Sequence, residues 1–533
     1  KGDGGQNVTY STNVTLGASG VTTIDTSGAN AYGVVGQSIG GGGGIVSIAT
    51  QSTGGWIDAG IIGQRGGGGS AMPTSVSGTA NIVTRGTNAA GVIVQSISGG
   101  GGVASLSSQS GAWFSGMVTL GATGGSGANA NTAYGYLAAG SVTTSGAFAP
   151  GLVVQSIAGG GGIAGIHTDA VRLGGPLNGN GGTVSATSSA LITTYSGASP
   201  GIVAQSIGGG GGLAHGAGQV YFNSAVSGSN AGNVWLTTGT GGTVQTVGSV
   251  SYGILAQSIG GAGGAVFSEY RQLSANFGSA IAYGSAVTLN VPTSVITNGV
   301  GSTAILAQSV GGGGGVVASV FTDANVTNYG IGNMGGGGSN LNGGAVSITT
   351  QNQTIATTAA NATAVVAQSV GNNGIFFTQT NTAAQSSASV NLQLGAVRGS
   401  GNGGPSQNDA VAGYLGNAII QTSGANSLGV LVQSVGGGGG FASIATQASG
   451  GSINARLGQQ GGAGSAQDIT ITGAPKVLTQ GVNAAGVVAQ AITGGGGVMA
   501  VSGTSGAVFS GSVYLGGTGG GTSGNAAVSM TLS

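Results

Sequence analysis

The sequence predicts an all-β chain folded as a β-solenoid, parallel β-helix-like, of nine Gly-rich repeats of about 50–65 residues. Three observations predict it. Apolar residues fall in short β-branched runs separated by Gly, Asn and Ser turns, with no helical spacing. A block of the form G-[VIL]-[VIL]-[AVG]-Q-S-[IV] followed by a Gly run recurs nine times with small departures, centred on Gln37, Gln95, Gln155, Gln205, Gln257, Gln308, Gln368, Gln433 and Gln490. Finally, 123 of the 533 residues are Gly, so no repeat has the side chains to bury a core of its own, and stacking of successive repeats supplies one.

Each repeat offers about four short strands. A Thr-rich stretch comes first, as in Val21-Thr22-Thr23-Ile24 and Leu191-Ile192-Thr193-Thr194, and a turn follows it. The Gln block is next. Alternation puts Val35, Gln37 and Ile39 on one face of its strand and Val34, Gly36 and Ser38 on the other. Neither face is polar, which places this strand inside the solenoid with cover on both sides. A buried Gln needs its amide satisfied, so nine copies at one repeat position predict an amide ladder. The alternative is a polar groove of Gln and Ser for glycans.

The Gly runs, which include Gly40, Gly44, Gly311, Gly315, Gly436 and Gly440, are expected to form corners where only Gly permits positive φ or close backbone approach. Packed polyglycine strands are a local alternative. After each run comes a further apolar strand, as in Ile45-Val46-Ser47-Ile48, and several repeats then add a V-x-L-G segment such as Val171-Arg172-Leu173-Gly174. A larger period lies above the first: residues 26–137 resemble 422–533, and Gln37 to Gln433 spans 396 residues. The chain therefore reads as a single continuous repeat array over 1–533.

Composition excludes several function classes. Eight Lys plus Arg balance eight Asp plus Glu, so the neutral chain has no electrostatic pull on nucleic acid or anionic lipid. It has no Cys, hence no disulfide, thiolate metal site or thiol nucleophile, and no apolar run long enough to span a bilayer. The start at Lys1-Gly2-Asp3 without an apolar leader and the stop inside a repeat lead us to expect a mature or trimmed piece of a longer chain.

No constellation of catalytic groups emerges. The Gly runs lack the Lys-Ser or Lys-Thr of a phosphate loop, and no Asp follows them as a calcium β-roll requires. The acids are scattered about one per repeat, whereas a glycosidase needs two converging on one cleft. His167, Asp169 and Arg172 form the one local cluster, expected to lie in a solvated loop; His167 and His215 without carboxylate or thiol partners make a poor metal set. No cofactor is expected. Flat Thr arrays of the ice-binding kind are a further alternative to Thr as a plain strand former. The aromatic residues, Trp56, Trp113 and Trp235 among them, fall in the variable part of the repeat and are candidate surface contacts.

The string G-[VIL]-x-[AV]-Q-S-[IV] with its Gly run, preceded by S-G-A-N or a similar turn, resembles the repeat of very large Gly-rich passenger regions in proteobacterial autotransporters and related surface adhesins. The resemblance covers nearly the whole chain. It implies secretion across the outer membrane, a β-solenoid passenger outside the cell, and roles in adhesion, biofilm or surface fibres; no catalytic residue carries over. The function expected is a non-enzymatic extracellular structural protein, a stiff neutral rod or filament on or from the bacterial surface that self-associates end to end or side by side. Its near absence of charge predicts stability insensitive to pH and salt. An adhesin binding glycans or surfaces through variable loops is the alternative, and a polysaccharide-degrading β-helix enzyme a remote one.

Overall fold

A computed structural model describes residues 11–50, 54–62, 69–108, 113–121, 128–222, 228–269, 273–278, 280–321, 330–333, 341–371, 373–385, 388–394, 410–448, 450–458, 465–503, 508–516 and 526–533. The chain is all-β, a β-solenoid in which strands of one repeat pair in parallel with the equivalent strands of the next. The fourth turn shows the pattern. Val184–Ser188 and Leu191–Thr194 lie in a Thr-rich sheet, Ile202–Ile207 in a Gln sheet and Gly211–Phe222 in a Gly-run sheet. The nine Gln strands, Val34–Ile39 through Val487–Ile492, form one sheet in chain order. Their register never slips: Ala204 pairs with Ala256, Gln205 with Gln257 and Ser206 with Ser258.

Three apolar seams separate four layers. Val184, Ala186 and Ile192 of the Thr sheet pack with Ile202 and Ala204 from one face of the Gln strand. From its other face Val203 packs with Leu213 at the start of the Gly-run strand. That strand then folds back on itself, so that Ala214 packs with Val220 and Phe222 of its outer return. The Gln strands of the interior turns are thus covered on both sides, and Ile202–Ile207 is buried at every position. Aromatic residues stack from turn to turn in these seams, Phe376 on Phe441 at 4.8 Å and Phe222 on Phe277 at 4.9 Å.

The Gly runs divide their work. Gly40, Gly311 and Gly436 sit in the bend after the Gln strand, but Gly44, Gly315 and Gly440 are not corner residues. They are the second residues of the strands Gly43–Thr50, Gly314–Phe321 and Gly439–Ala448. In-register Gly columns result, for instance Gly101, Gly161, Gly211, Gly263 and Gly314. At Gly212 the backbone has φ +132°, and a Cβ there would lie 1.9 Å from the Gly162 carbonyl oxygen. Both the dihedral and the close approach to the preceding turn demand Gly. The left-handed bend is also met by Asn373, at φ 70°.

Candidate functional site

The most ordered chemistry in the molecule is a set of buried polar ladders running along the stack. Gln37 Nε2 donates to Gln95 Oε1 at 2.6 Å, and the same bond repeats from Gln95 to Gln155, Gln155 to Gln205 and Gln205 to Gln257, each at 2.7 Å. It continues from Gln257 to Gln308 at 2.9 Å, Gln308 to Gln368 at 3.3 Å, Gln368 to Gln433 at 2.6 Å and Gln433 to Gln490 at 2.9 Å. All nine amides therefore join one file. They face the start of the Gly-run strand, where Gln308 Nε2 also reaches the Gly315 carbonyl at 3.5 Å. Gln95 through Gln433 are fully buried, so the alternative of a solvent-lined Gln and Ser groove fails.

The neighbouring Ser, on the opposite face, stitches the connector that leads into the Thr sheet. Ser156 Oγ donates to the Asn131 carbonyl at 2.7 Å and accepts the Gly182 N–H at 2.8 Å. Ser206 does the same with Gly182 and Gly232. Hydroxyls that donate to one turn and accept from the next leave no orphan at this corner.

Two further files were missed in the sequence. Thr at the end of the Thr-sheet strand donates to the carbonyl five residues on, as Thr194 to Ser199 and Thr246 to Ser251, both at 2.5 Å. Asn30, Asn88, Asn361, Asn426 and Asn483, each seven residues before a ladder Gln, adopt left-handed φ of 55–58°. Asn88 Nδ2 donates to Asn30 Oδ1 at 3.0 Å, and Asn483 to Asn426 at 3.0 Å. The fixed offset from Gln was the available signal. It is interrupted by Phe148, Ala198, Val250 and Gly301, which hold the same left-handed position in the middle turns.

Where this Asn file stops, the same region holds the buried titratable groups. His215 stacks on Phe148 at 4.9 Å, with His167 tilted against it at 5.8 Å. Burial, and after it the neighbouring His167, pushes the His215 pKa down to about 3, and burial lowers His167 too. In an otherwise uncharged core these rings are neutral at pH 7. Burial raises the Glu269 carboxyl, opposed by a hydrogen bond from Ser249.

His167, Asp169 and Arg172 do not lie in a loop. They belong to the strand Gly161–Leu173, where Asp169 is exposed and His167 and Arg172 are half-buried among buried neighbours. Asp169 accepts Trp113 Nε1 at 2.7 Å and the Gly116 N–H at 3.0 Å, which ties one exposed Trp to the neighbouring turn. Trp235 and Trp56 are strand residues as well, in Val234–Thr238 and Gly55–Ile62, because outward positions of a strand accept a ring as readily as a loop does. Among the described residues no three His, Cys, Asp or Glu come together, and no helix is long and apolar enough to cross a membrane. Asp58 lies in a strand, but its side chain is outside the described residues.

The outer face of the Thr sheet is a regular surface of in-register files. Asn13, Ser75, Tyr134, Ser185, Trp235, Thr288 and Ser347 form one file across successive turns. Thr15, Ser77, Tyr136, Thr187, Thr237, Asn290 and Thr349 form the next. Neither contains a charged side chain. Comparison with protein-family models, curated proteins and solved structures finds no match for this chain.

Proposed function

We propose that this chain is a non-enzymatic structural protein, a stiff, neutral β-solenoid segment of a rod or filament displayed on, or shed from, a bacterial surface. The unbroken Gln file supports the reading most directly, since eight consecutive amide-to-amide hydrogen bonds, buried everywhere but at the two end turns, make each turn's order depend on its neighbours. The resemblance of the repeat to autotransporter passengers favours a place outside the cell, which the lack of Cys is compatible with. At a rise of about 4.8 Å per turn the nine turns extend roughly 43 Å along the axis.

Electron microscopy of the material in its native setting tests this. Fibres of uniform width, much longer than nine turns and unchanged in high salt, are the expected result. Compact particles joined by flexible tethers would overturn it.

A further inference from the structure

Beyond the rod reading, we propose that the outer face of the Thr sheet around Tyr134, Tyr136 and Trp235 is a binding platform for a neutral, extended polysaccharide of β-linked sugars. The rings stand on a hydroxyl floor. Tyr134 is flanked in register by Ser75 and Ser185, Tyr136 by Ser77 and Thr187, and Trp235 by Ser185 and Thr288. Tyr134 and Tyr136 are each 37% exposed and Trp235 is 46% exposed. The two Tyr rings lie nearly parallel, with centroids 6.3 Å apart and planes at 15°.

These rings do nothing for the core. The inward residues of the same strands, Ala133, Leu137, Val234 and Leu236, already fill the seam against the Gln strand, and neighbouring turns put Ser or Thr at the ring positions without loss of register. Large rigid rings held in water beside small hydroxyls are the composition of a recognition surface, since Tyr and Trp bring contact area at low entropy cost and Ser and Thr bring adaptable hydrogen bonds.

Geometry and charge select the partner. Tyr134 and Trp235 occupy one file two turns apart, a separation of roughly 9.6 Å at the parallel-sheet spacing, which matches the disaccharide step of an extended β-linked chain. With Ser185 between them, ring faces can meet alternate sugars while hydroxyls meet the sugar between. The two files from Asn13 to Ser347 and from Thr15 to Thr349 contain no charge, so an anionic polymer gains no counter-ion there, whereas an uncharged polyhydroxylated chain leaves no ion to desolvate. Rings projecting from the sheet also break the flatness that an ice-matching Thr array requires.

The experiment uses the full chain, with microcrystalline cellulose and chitin as neutral probes and immobilised polygalacturonate as the anionic one. Depletion isotherms are measured for the native chain, for Trp235→Ser, for the triple variant Tyr134→Ser/Tyr136→Ser/Trp235→Ser, and for Trp56→Ser on the other sheet. Retention on at least one neutral probe is expected, weakened tenfold or more in the triple variant, reduced in Trp235→Ser and unchanged in Trp56→Ser, with the urea midpoint of every variant matching the native chain. The proposal is overturned by no retention on either neutral probe, by retention indifferent to the triple variant, or by equal retention on polygalacturonate. A triple variant that fails to fold overturns it too, because the rings would then belong to the packing.

Discussion

Replacing one ladder amide in the middle of the stack should cost far more than replacing one at its end. In Gln257→Leu, Gln205 Nε2 loses its acceptor and Gln308 Oε1 loses its donor, and both groups are fully buried. A buried polar group left unsatisfied costs about 1–3 kcal/mol, and Leu fills most of the vacated volume, so the net loss is roughly 2–4 kcal/mol. Gln490 accepts from Gln433 but sits in a half-buried strand, where water can take over, so Gln490→Leu should cost less than about 1 kcal/mol. Because a solenoid opens turn by turn, a single unfolding free energy misses the contrast. Hydrogen exchange read by mass spectrometry on peptides covering Ile202–Ile207 and Ile305–Val310 resolves it, and faster exchange should appear on both sides of the substituted turn. Equal protection in the two variants, or a change below about 0.5 kcal/mol for Gln257→Leu, would refute the idea that the amide file couples the turns.

Acid and the Gly columns give two further tests. The His215 pKa stands at about 3 in the fold against 6.5 for an unperturbed His, so the unfolded chain takes up a proton below pH 6.5 that the fold refuses until about pH 3. That stability is present above pH 6.5 and lost as pH falls, by about 3 kcal/mol at pH 4. Because Phe267 is its register neighbour, His215→Phe fits the same seam, and urea unfolding at pH 7 and pH 4 should show a smaller acid loss in the variant; identical losses would sink the assignment. The near absence of surface charge thus predicts flat behaviour only where no buried ring titrates. In the Gly columns, Gly212→Ala meets a backbone oxygen at 1.9 Å, whereas Gly44→Ala, with a similar φ of +137°, meets nothing within 4 Å. Thermal melts should place Gly44→Ala about 1–2 kcal/mol below the native chain and Gly212→Ala well beyond that, and similar melts would show that dihedral strain alone selects Gly.

The repeat, its nine Gln centres and the strand order were legible because each rests on a residue type recurring at one offset. The layering was not. Alternation shows that the Gln strand has two apolar faces, but the bend by which Gly211–Phe222 doubles back to cover Ala214 with Val220 and Phe222 falls at Gly216, φ +84°, which among 123 Gly does not stand out as a corner. The Asn file escaped notice for a different reason: Phe148, Ala198 and Val250 hold the same left-handed backbone without sharing its side-chain chemistry, so a motif read by residue type breaks where the geometry continues. Trp235 looked like a loop residue because sequence variability was taken to mean irregular backbone, and Tyr134 and Tyr136 were not singled out at all, although on an outward strand position the floor is regular and only the decoration varies.

Every amide in the Gln file points the same way, amino group toward the later turn. A single reversal would set oxygen against oxygen on one side and NH2 against NH2 on the other, so the sense of the file is chosen once and copied by all its members. The aligned dipoles add along the axis, much as peptide dipoles add in a helix. The Gln file is therefore polarised along the axis although it carries no formal charge, while the Asn amides donate the other way, toward the earlier turn, and a newly added turn meets templates that dictate which way round each of its amides must lie.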